Sequence, residues 1–441
     1  MSEMKMNEIY DTVIIGGGVV GLAILREATL QGMKCALIEA SSDLLTQASG
    51  SNSGIACTGV DAEGGTLERS LIRDSISRIR LFCKKFHIPY RECGSLVCLW
   101  PWDDSETENS LKSIAQESWD AGDTNVKLFN TKETLEKEPA LSNEVQGSVH
   151  IPGEIVLDPW LFPIALASNA RENGAQIYTD FPFLPETTSF QSDSKCWIIS
   201  NPNSNFKLQT KSIINACGIQ SDIIQEHTHT LPKPTWTAKP RRGQYRIFKS
   251  TKPLIHPIQP VPTPRTKGIF VYSTLYDHIV VGPTALDQSS RTDVTPDINV
   301  ANQLTKHAQR LLSISINDKT SYVGEYVGIR PGTNHRDYQI HSIHHKQWIS
   351  VAGIRSTGLT ASLGIGSYVT TLLKPMIQYH PLTTSLNTTG RIKETPLPDV
   401  KTLAKSYRDS LDGTVNIHGY KYKVTHPITK IGWTHATGIA G

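Results

Sequence analysis

The stretch DTVIIGGGVVG (11–21) decides the fold that this 441-residue chain is expected to adopt. It begins with a short apolar run typical of a buried parallel strand, and the residues after it have the spacing of an amphipathic helix. A second apolar run, CALIE (35–39), completes a strand–helix–strand unit with the GxGxxG pattern at its first turn. In this pattern Gly16 permits a tight turn, Gly18 lets the backbone approach a pyrophosphate, and Gly21 allows the helix to pack closely on the strand.

Glu39 closes the second strand, about 20 residues beyond the glycine turn, where dinucleotide-binding folds carry an acid that binds a ribose. Its negative charge disfavours a 2′-phosphate on that ribose. The unit therefore predicts bound FAD or NAD rather than NADP. The phosphates are expected at the N-terminus of the helix, where free N–H groups favour negative charge.

Two later segments favour FAD over NAD. SIINACGI (212–219) is an apolar strand that runs into a turn of small residues, as expected where the chain returns to a bound cofactor. SVAGIRSTGLTASLGIG (350–366) is a strand followed by a glycine, a polar loop and a helix rich in small residues. The N-terminus of that helix would face the part of a flavin that gains negative charge on reduction. An NAD dehydrogenase needs no third cofactor-facing segment of this kind.

The segment ASGSNSGIACTGVDA (48–62) consists almost entirely of small residues. Because it follows the strand that ends at Glu39, we expect it to run along the cofactor with its backbone close to the ligand. The side chains of Ser51, Asn52 and Ser53 can hydrogen-bond diphosphate and ribityl oxygens. The predicted cofactor-binding residues are Gly16, Gly18, Gly21, Glu39, Ala40, Ser51, Asn52, Ser53, Gly54, Ala216, Gly218, Gly353, Arg355, Ser356, Thr357, Gly358, Leu359 and Thr360.

The composition excludes several other classes of protein. The chain is 38% hydrophobic and 19% charged with a net charge of +3, which suits a two-domain globular protein and gives no reason to expect nucleic acid as a partner. Its seven cysteines include no CxxC pair, so reduced thiols are expected and an iron–sulfur cluster is not. HSIHH (341–345) lacks carboxylates at ligand spacing, so surface histidines are expected and no metal site is predicted.

No segment approaches the roughly 18–20 apolar residues that cross a bilayer. The N-terminus lacks a secretory segment and an Arg-rich presequence, so a soluble cytoplasmic or organellar protein is expected. RDSISRIRLFCKKFHI (73–88) has the pattern of a basic amphipathic helix, for which a packed apolar stripe under a solvated face is the simpler interpretation. Peripheral contact with a membrane surface stays open as the alternative.

Seven stretches resemble the FAD-dependent oxidoreductases of the D-amino-acid oxidase superfamily. Within it the chain is most similar to the FAD-linked glycerol-3-phosphate dehydrogenase/oxidase branch, with L-2-hydroxyglutarate dehydrogenases as neighbours. The stretches are IIGGGVVGLAILREA (14–28), SNSGIACTGVDAEGGTLE (51–68), PRRGQYRIF (240–248), VPTPRTKGIFV (261–271), VGPTA (281–285), YVGIRPGTNHRDYQI (326–340) and VAGIRSTGLTASLGIG (351–366).

The resemblance implies an α/β fold with two domains that interleave along the chain. A Rossmann-like FAD-binding domain would be discontinuous, comprising 8–75, 150–230 and 325–380. A substrate domain built on a mostly antiparallel sheet would comprise 76–149 and 231–324. Within it the pattern of IFVYSTLYDHIVVG (269–282) itself predicts a hairpin that turns near Tyr276 and Asp277. The role of the C-terminal segment 381–441 is not predicted.

The resemblance also implies an activity. This is the oxidation of glycerol 3-phosphate to dihydroxyacetone phosphate by hydride transfer to flavin N5, with electrons passed to quinone or O₂. L-2-hydroxyglutarate or amino-acid oxidation by the same flavin chemistry is one alternative. A flavin-binding partner protein without turnover is an alternative of another class. The substrate would be small and anionic, and the oligomeric state is not predicted.

Anion binding favours arginine, whose planar guanidinium grips phosphate or carboxylate through two hydrogen bonds. By resemblance, Arg330 contacts substrate near the flavin, Arg336 helps to hold the phosphate, and Arg355 occupies the position of a family lysine near flavin and substrate. Tyr245, or a water that it holds, is expected to hydrogen-bond the substrate hydroxyl. Cys57 stands where relatives often keep a histidine, and is expected to pack close to the flavin. A redox or covalent role for Cys57 and the identity of the proton acceptor stay open.

Overall fold

The computed structural model describes residues 8–103, 107–263, 268–317, 319–379 and 392–435. Residues 264–267 of the family-like stretch 261–271 lie outside these ranges. So do 381–391 and 436–441 of the predicted C-terminal segment. Two large sheets dominate the described structure, and both contribute residues to one cavity.

A six-stranded sheet carries the glycine turn. Its spatial order is Gln176–Tyr178, Cys35–Ile38, Thr12–Ile15, Ile213–Asn215, Trp348–Ala352 and Gln339–Ile343. The first five strands are parallel and the last is antiparallel. Because helices cover a parallel sheet on both faces, its strands are apolar throughout rather than alternating. All four residues of Thr12–Ile15 are accordingly buried.

Glycines allow helices to pack closely on one another beside this sheet. In chain order the helices of the described residues are α1 (Val19–Leu30), α2 (Leu67–Lys85), α3 (Thr107–Asp120), α4 (Thr131–Lys137), α5 (Leu161–Glu172), α6 (Ser221–His227), α7 (Ile298–Leu311), α8 (Gly358–Met376), α9 (Val400–Asp409) and α10 (Pro427–His435). A Cβ on Gly366 of α8 would lie 2.9 Å from the carbonyl oxygen of Ala23 in α1, and one on Gly364 would lie 2.5 Å from that of Leu71 in α2. The glycines therefore set how closely α8 approaches both neighbours.

A nine-stranded sheet forms the opposite wall of the cavity. Its order is Leu286–Asp287, Ala238–Lys249, His278–Gly282, Phe270–Ser273, Ile258–Pro260, Ser95–Leu99, Gly147–Ile151 and Lys127–Asn130, with Tyr322–Thr333 paired to Ala238–Lys249. Only the pairing of Ile258–Pro260 with Ser95–Leu99 is parallel among these strands. The predicted hairpin is confirmed, with Asp277 at a positive φ of 58° in its turn. The predicted fold class, an α/β fold with a mostly antiparallel second sheet, is confirmed.

Three smaller sheets complete the strands. One contains Ile9–Tyr10, Lys207–Thr210, Cys196–Ser200 and Thr188–Gln191, in that order. A second contains Ile55–Ala56, Ile155–Leu157 and Tyr90–Glu92, and it holds the end of the small-residue segment in place. The third is a hairpin of Thr414–Ile417 and Tyr420–Lys423 in the C-terminal segment.

The basic helix predicted near residue 73 is part of α2, and its apolar side is packed. Ile72, Ile79 and Phe82 are buried. Its basic side chains form ion pairs within the chain: Arg73 with Asp123, Arg78 with Asp74, Arg80 with Glu92 and Lys85 with Glu394. This arrangement favours the packed-helix interpretation. Among the described residues, every helix is too short or too polar to cross a bilayer.

Candidate active site

The cavity between the two large sheets has a volume of about 770 Å³. One wall is formed by loops that follow four parallel strands of the six-stranded sheet, at residues 16–20, 39–41, 216–220 and 354–360. Ligands bind at such carboxyl ends in open α/β sheets. The opposite wall comes from the paired strands Ala238–Lys249 and Tyr322–Thr333.

The glycine turn is built for close backbone approach. Gly16 has a φ of +110°, and a Cβ there would lie 2.7 Å from the carbonyl oxygen of Ala216. Gly18 precedes α1, and both glycines line the cavity. Gly21 lies behind the turn, where a Cβ would lie 2.1 Å from the carbonyl oxygen of Gly16. Gly16 thus permits the tight turn against Ala216, Gly18 borders the cavity with backbone alone, and Gly21 allows the helix to pack.

Glu39 follows the strand next to the glycine turn and holds that turn through hydrogen bonds. Its carboxylate lines the cavity and accepts the backbone N–H groups of Gly17 at 2.6 Å and Ser41 at 2.9 Å. Sequence reasoning missed Ser49, whose hydroxyl accepts the N–H of Val19 at 3.0 Å, at the N-terminus of α1. Serine is a common partner for such N–H groups, but only the fold shows that this one, 30 residues further along the chain, reaches α1.

The small-residue segment follows the cavity wall as a cradle, by which we mean residues 49–54. Ser51, Asn52 and Ser53 line the cavity. The Asn52 side chain donates to the carbonyl oxygen of Ser49 at 2.7 Å and accepts the N–H of Gly54 at 2.8 Å, so it closes the loop on itself. Gly54 lies behind the wall at a φ of +72°, where a Cβ would lie 2.6 Å from the Leu157 carbonyl oxygen.

The loop before α8 forms the third side of the cavity. The predicted residues Arg355, Ser356, Thr357, Gly358, Leu359 and Thr360 all line it, as do Ala40, Ala216 and Gly218. Gly353 lies beneath the loop at a φ of +73°, outside the cavity lining. Thr360 Oγ1 accepts the N–H of Cys57 at 3.1 Å, which joins this loop to the segment that follows the cradle. Cys57 is half-buried and lines the cavity.

A buried carboxylate missed by sequence reasoning holds Arg355. Glu68 Oε2 accepts from the Arg355 guanidinium at 3.2 Å, and Glu68 Oε1 accepts the Thr357 hydroxyl at 2.7 Å. The Tyr338 hydroxyl extends this network, 2.6 Å from Thr357 Oγ1. Because Glu68 neutralises Arg355, the arginine is oriented over the cavity without a full unpaired charge.

Arg330 is a different kind of cation. It lines the cavity, is largely buried, and donates to the carbonyl oxygens of Thr284 at 2.9 Å and Arg242 at 3.4 Å. Burial lowers the pKa of its guanidinium. Among the residues that the structure describes, it forms no ion pair with a carboxylate. A buried, uncompensated cation facing a cavity is a natural site for an anion.

Arg336 also lines the cavity, but at its exposed rim. Its side chain is 72% exposed and lies 3.9 Å from Glu63. Lys239 and Arg241, not singled out by sequence reasoning, also line the cavity, and Arg241 pairs with Asp287 at 2.5 Å. Their positions in the sequence could have indicated this, because Arg241 lies in the family-like stretch 240–248 and Lys239 directly precedes it.

Tyr245 reaches the cavity from the strand opposite Arg330. It is only 7% exposed, and its ring stacks on that of Tyr326 with centroids 4.5 Å apart. Burial raises the pKa of Tyr245, and nearby Arg330 opposes the shift. Its hydroxyl has no hydrogen-bond partner among the described residues, although buried polar groups usually have one. The phenol therefore stays protonated at neutral pH and is free to bond a ligand.

These features fit a flavin dinucleotide. Gly16 and Gly18 border the cavity with backbone and no side chain, α1 and α8 both begin at the cavity wall, and the cavity has the size of a cofactor site. The residues that would hold FAD are the glycine turn, Glu39, the cradle and the loop 354–360.

Comparisons with known proteins agree. A family model described as FAD dependent oxidoreductase (DAO) matches residues 11–372. The chain is 28% identical to a glycerol 3-phosphate dehydrogenase of Caloramator mitchellensis, over 83% of this chain and 74% of the relative. It is 27% identical to a glycerol 3-phosphate oxidase of Mycoplasma pneumoniae, over 81% and 93%.

A solved structure of L-alpha-glycerophosphate oxidase from Mycoplasma pneumoniae with FAD bound has the same fold, with a TM-score of 0.76 at 24% identity. The match covers 86% of this chain and 98% of that one. The family resemblance, the cofactor and the enzyme class predicted from the sequence are thereby confirmed. The chain belongs to the FAD-dependent oxidoreductases of the DAO family, and its cofactor is FAD.

Proposed function

We propose that the protein oxidises glycerol 3-phosphate to dihydroxyacetone phosphate and passes the electrons to quinone or O₂. The observation that carries the proposal is the largely buried Arg330, which lines the cavity and has no carboxylate partner in the part of the chain that the structure describes. The names of the two relatives support the choice of substrate, because both act on glycerol 3-phosphate.

Arg330 would bind the phosphate. Its two hydrogen bonds to backbone carbonyl oxygens fix the plane of the guanidinium and leave further N–H groups for a ligand. Arg336 and Lys239, at the rim, would attract the dianion before it reaches Arg330. The pair Arg355 and Glu68 would present a donor to a neutral oxygen of the substrate.

Tyr245 would orient the alcohol that is oxidised. Since burial raises the pKa of the phenol, Tyr245 would donate its hydrogen bond to the substrate oxygen rather than remove a proton. FAD, when bound, supplies the acceptor for the hydride of the alcohol carbon. The hydroxyl proton would pass to another acceptor. We assign that role to no described side chain.

Anaerobic reduction of the flavin tests the proposal. We expect glycerol 3-phosphate to bleach the visible absorption of the purified holoprotein, and uncharged glycerol to do so only at far higher concentration. Bleaching by L-2-hydroxyglutarate or an amino acid instead would favour the first alternative. A flavin that no candidate reduces would favour the flavin-binding protein without turnover. Reoxidation by O₂, followed through peroxide, against reoxidation by a soluble quinone identifies the electron acceptor.

Arg330→Gln is the matching variant. Losing a charged hydrogen bond of about 1.5–3 kcal/mol should weaken binding of glycerol 3-phosphate roughly 10- to 150-fold. Arg336→Gln is the graded control, because exposed ion pairs contribute about 1 kcal/mol or less, so a change below about fivefold is expected. Equal effects of the two variants would contradict the assignment of the phosphate to Arg330.

A further inference from the structure

The C-terminal segment reaches the cofactor site although it lies beyond residues 11–372, the part matched by the family model. We use the name C-terminal clasp for the described residues 392–435, which contain α9, the hairpin and α10. Three hydrogen bonds of buried side chains fix the clasp to the rest of the protein. Trp433 Nε1 donates to the Tyr276 hydroxyl at 2.8 Å, Thr429 Oγ1 donates to buried Asp158 at 3.0 Å, and Trp160 Nε1 donates to the Lys423 carbonyl oxygen at 3.0 Å.

His426 hydrogen-bonds the clasp to the cradle. It is 0% exposed. The backbone N–H of Ile428 donates to its Nδ1 at 3.2 Å, so Nδ1 carries no proton and the ring hydrogen is on Nε2. Nε2 lies 3.0 Å from the carbonyl oxygen of Asn52 and therefore donates to it. Burial lowers the pKa of His426 to about 3, which keeps the ring in this neutral form.

The Asn52 carbonyl oxygen is held from two sides. The Tyr326 hydroxyl donates to the same oxygen at 3.1 Å, and the Tyr272 hydroxyl donates to the next carbonyl oxygen, that of Ser53, at 2.8 Å. The ring of Tyr326 also stacks on that of Tyr245. His426 and two tyrosines thus fix two successive peptides of the cradle.

Fixing the Asn52 carbonyl determines where an N–H points. The C=O and N–H groups of a trans peptide point in opposite directions. Holding the Asn52 C=O on His426 and Tyr326 therefore turns the N–H of Ser53 away from them. Ser53 lines the cavity, and its N–H has no hydrogen-bond partner among the described residues.

We propose that His426 is a positioning residue of the FAD site: through the Asn52 carbonyl, the C-terminal clasp holds the cradle so that the N–H of Ser53 is presented to the cofactor. A segment outside the family match thereby contributes to cofactor affinity without touching the cofactor. The proposal rests on FAD binding alone and is independent of which substrate the enzyme oxidises.

Cofactor titration of the apoprotein tests this role. His426→Leu removes the donor, and we expect the Kd for FAD, measured by quenching of flavin fluorescence, to rise tenfold or more. The vibrational structure of the visible flavin band should change as well. His426→Gln can place its amide N–H where Nε2 was, so its Kd should stay within about threefold of the parent value.

His418→Leu is the matched control, since it removes a second hydrogen-bonded histidine from the same clasp. His418 bonds Ser168 Oγ at 2.8 Å and the Pro396 carbonyl oxygen at 3.1 Å, and it does not line the cavity. It should lower Tm and leave the Kd for FAD unchanged within about twofold. Equal Tm losses for both leucine variants, with neither affecting the Kd nor the flavin band, would overturn the proposal.

A second pair of variants covers the case in which His426→Leu does not fold. His426→Asn is polar, but its shorter side chain does not reach the Asn52 carbonyl, whereas His426→Gln does. We expect the Asn variant to bind FAD at least fivefold more weakly than the Gln variant. Identical Kd values would overturn the positioning role.

Discussion

Arg330 and Tyr245 reach the cavity from two strands that are paired with each other. In the register of these strands Tyr245 faces Tyr326, and Arg330 faces Arg241. Tyr245 is buried and Arg330 is largely so, and each influences the other. Burial raises the pKa of the phenol while the nearby guanidinium opposes that rise, and burial lowers the pKa of Arg330 while Tyr245 opposes that shift. A largely buried cation beside a cavity-lining tyrosine, whose hydroxyl has no partner among the described residues, is an arrangement that an anionic alcohol would complete.

Tyr245→Phe tests the part that the hydroxyl plays. One hydrogen bond of about 0.5–1.5 kcal/mol is lost, so the rate of flavin reduction by substrate should fall roughly threefold to tenfold. Stopped-flow absorbance under anaerobic conditions measures this rate. Tyr10→Phe is the control, because the Tyr10 hydroxyl bonds the Tyr178 hydroxyl at 3.0 Å and Tyr10 does not line the cavity: it should lower stability and leave the rate unchanged. An unchanged rate in Tyr245→Phe would remove that residue from the proposed role.

α1 and α8 are the elements that bring backbone N–H groups to the cavity. Each follows a parallel strand and begins at the cavity wall, so two helix N-termini face one ligand. Their positions depend on glycines in contact with backbone, namely Gly21 in α1 and Gly364 and Gly366 in α8. Backbone atoms cannot rotate away as a side chain can, so a methyl group at these positions must displace the helix.

Gly21→Ala is therefore expected to displace α1 from the glycine turn. The added Cβ would lie 2.1 Å from the Gly16 carbonyl oxygen. Overpacking of this kind costs about 1–3 kcal/mol of unfolding free energy, and we expect the Kd for FAD to rise at least tenfold. Gly64→Ala is the control, because its Cβ would lie 3.7 Å from the nearest atom, an ordinary contact in the Arg69 side chain. Tight FAD binding by Gly21→Ala would contradict the packing argument.

At the scale of the whole molecule, buried neutral histidines should make the free energy of unfolding fall at acid pH. Burial lowers the pKa of His426 to about 3 and that of His278 to about 4, from 6.5 when unfolded. The stability that these two neutral histidines contribute is fully present above pH 6.5. Below it, the unfolded chain takes up protons that the native protein excludes, so stability falls as the pH drops toward 4.

Each of these histidines should lower the free energy of unfolding by up to about 1.4 kcal/mol per pH unit in that range. Urea unfolding of the holoprotein with excess FAD, compared at pH 7 and pH 5, measures the loss. His278→Gln has no such titration and should show a smaller difference between the two pH values. If the variant and the parent lose the same stability, His278 is not a source of the dependence.

Much of the cofactor site follows from local patterns. The GxGxxG turn, the acid after the second strand, the small-residue segment and the strand–loop–helix at 350–366 are each contained in a short stretch of chain. Their chemistry depends on neighbours within a few residues: a glycine permits a turn, and an apolar run forms a buried strand. These patterns predicted the fold class and FAD correctly from the sequence.

Other parts of the site exist only through contacts between distant residues. Ser49 at the N-terminus of α1, Glu68 beneath Arg355 and His426 on the cradle are polar side chains whose sequence neighbours reveal nothing of their partners. The difference between Arg330 and Arg336 is of the same kind, because a guanidinium binds an anion strongly only where burial and missing carboxylates leave it uncompensated.

The amino-acid sequence alone determined the cofactor fold through short-range patterns. Only the tertiary structure decided which unpaired cation at the cavity is largely buried and which segment holds the cradle, since burial and long-range hydrogen bonds arise when the chain is folded.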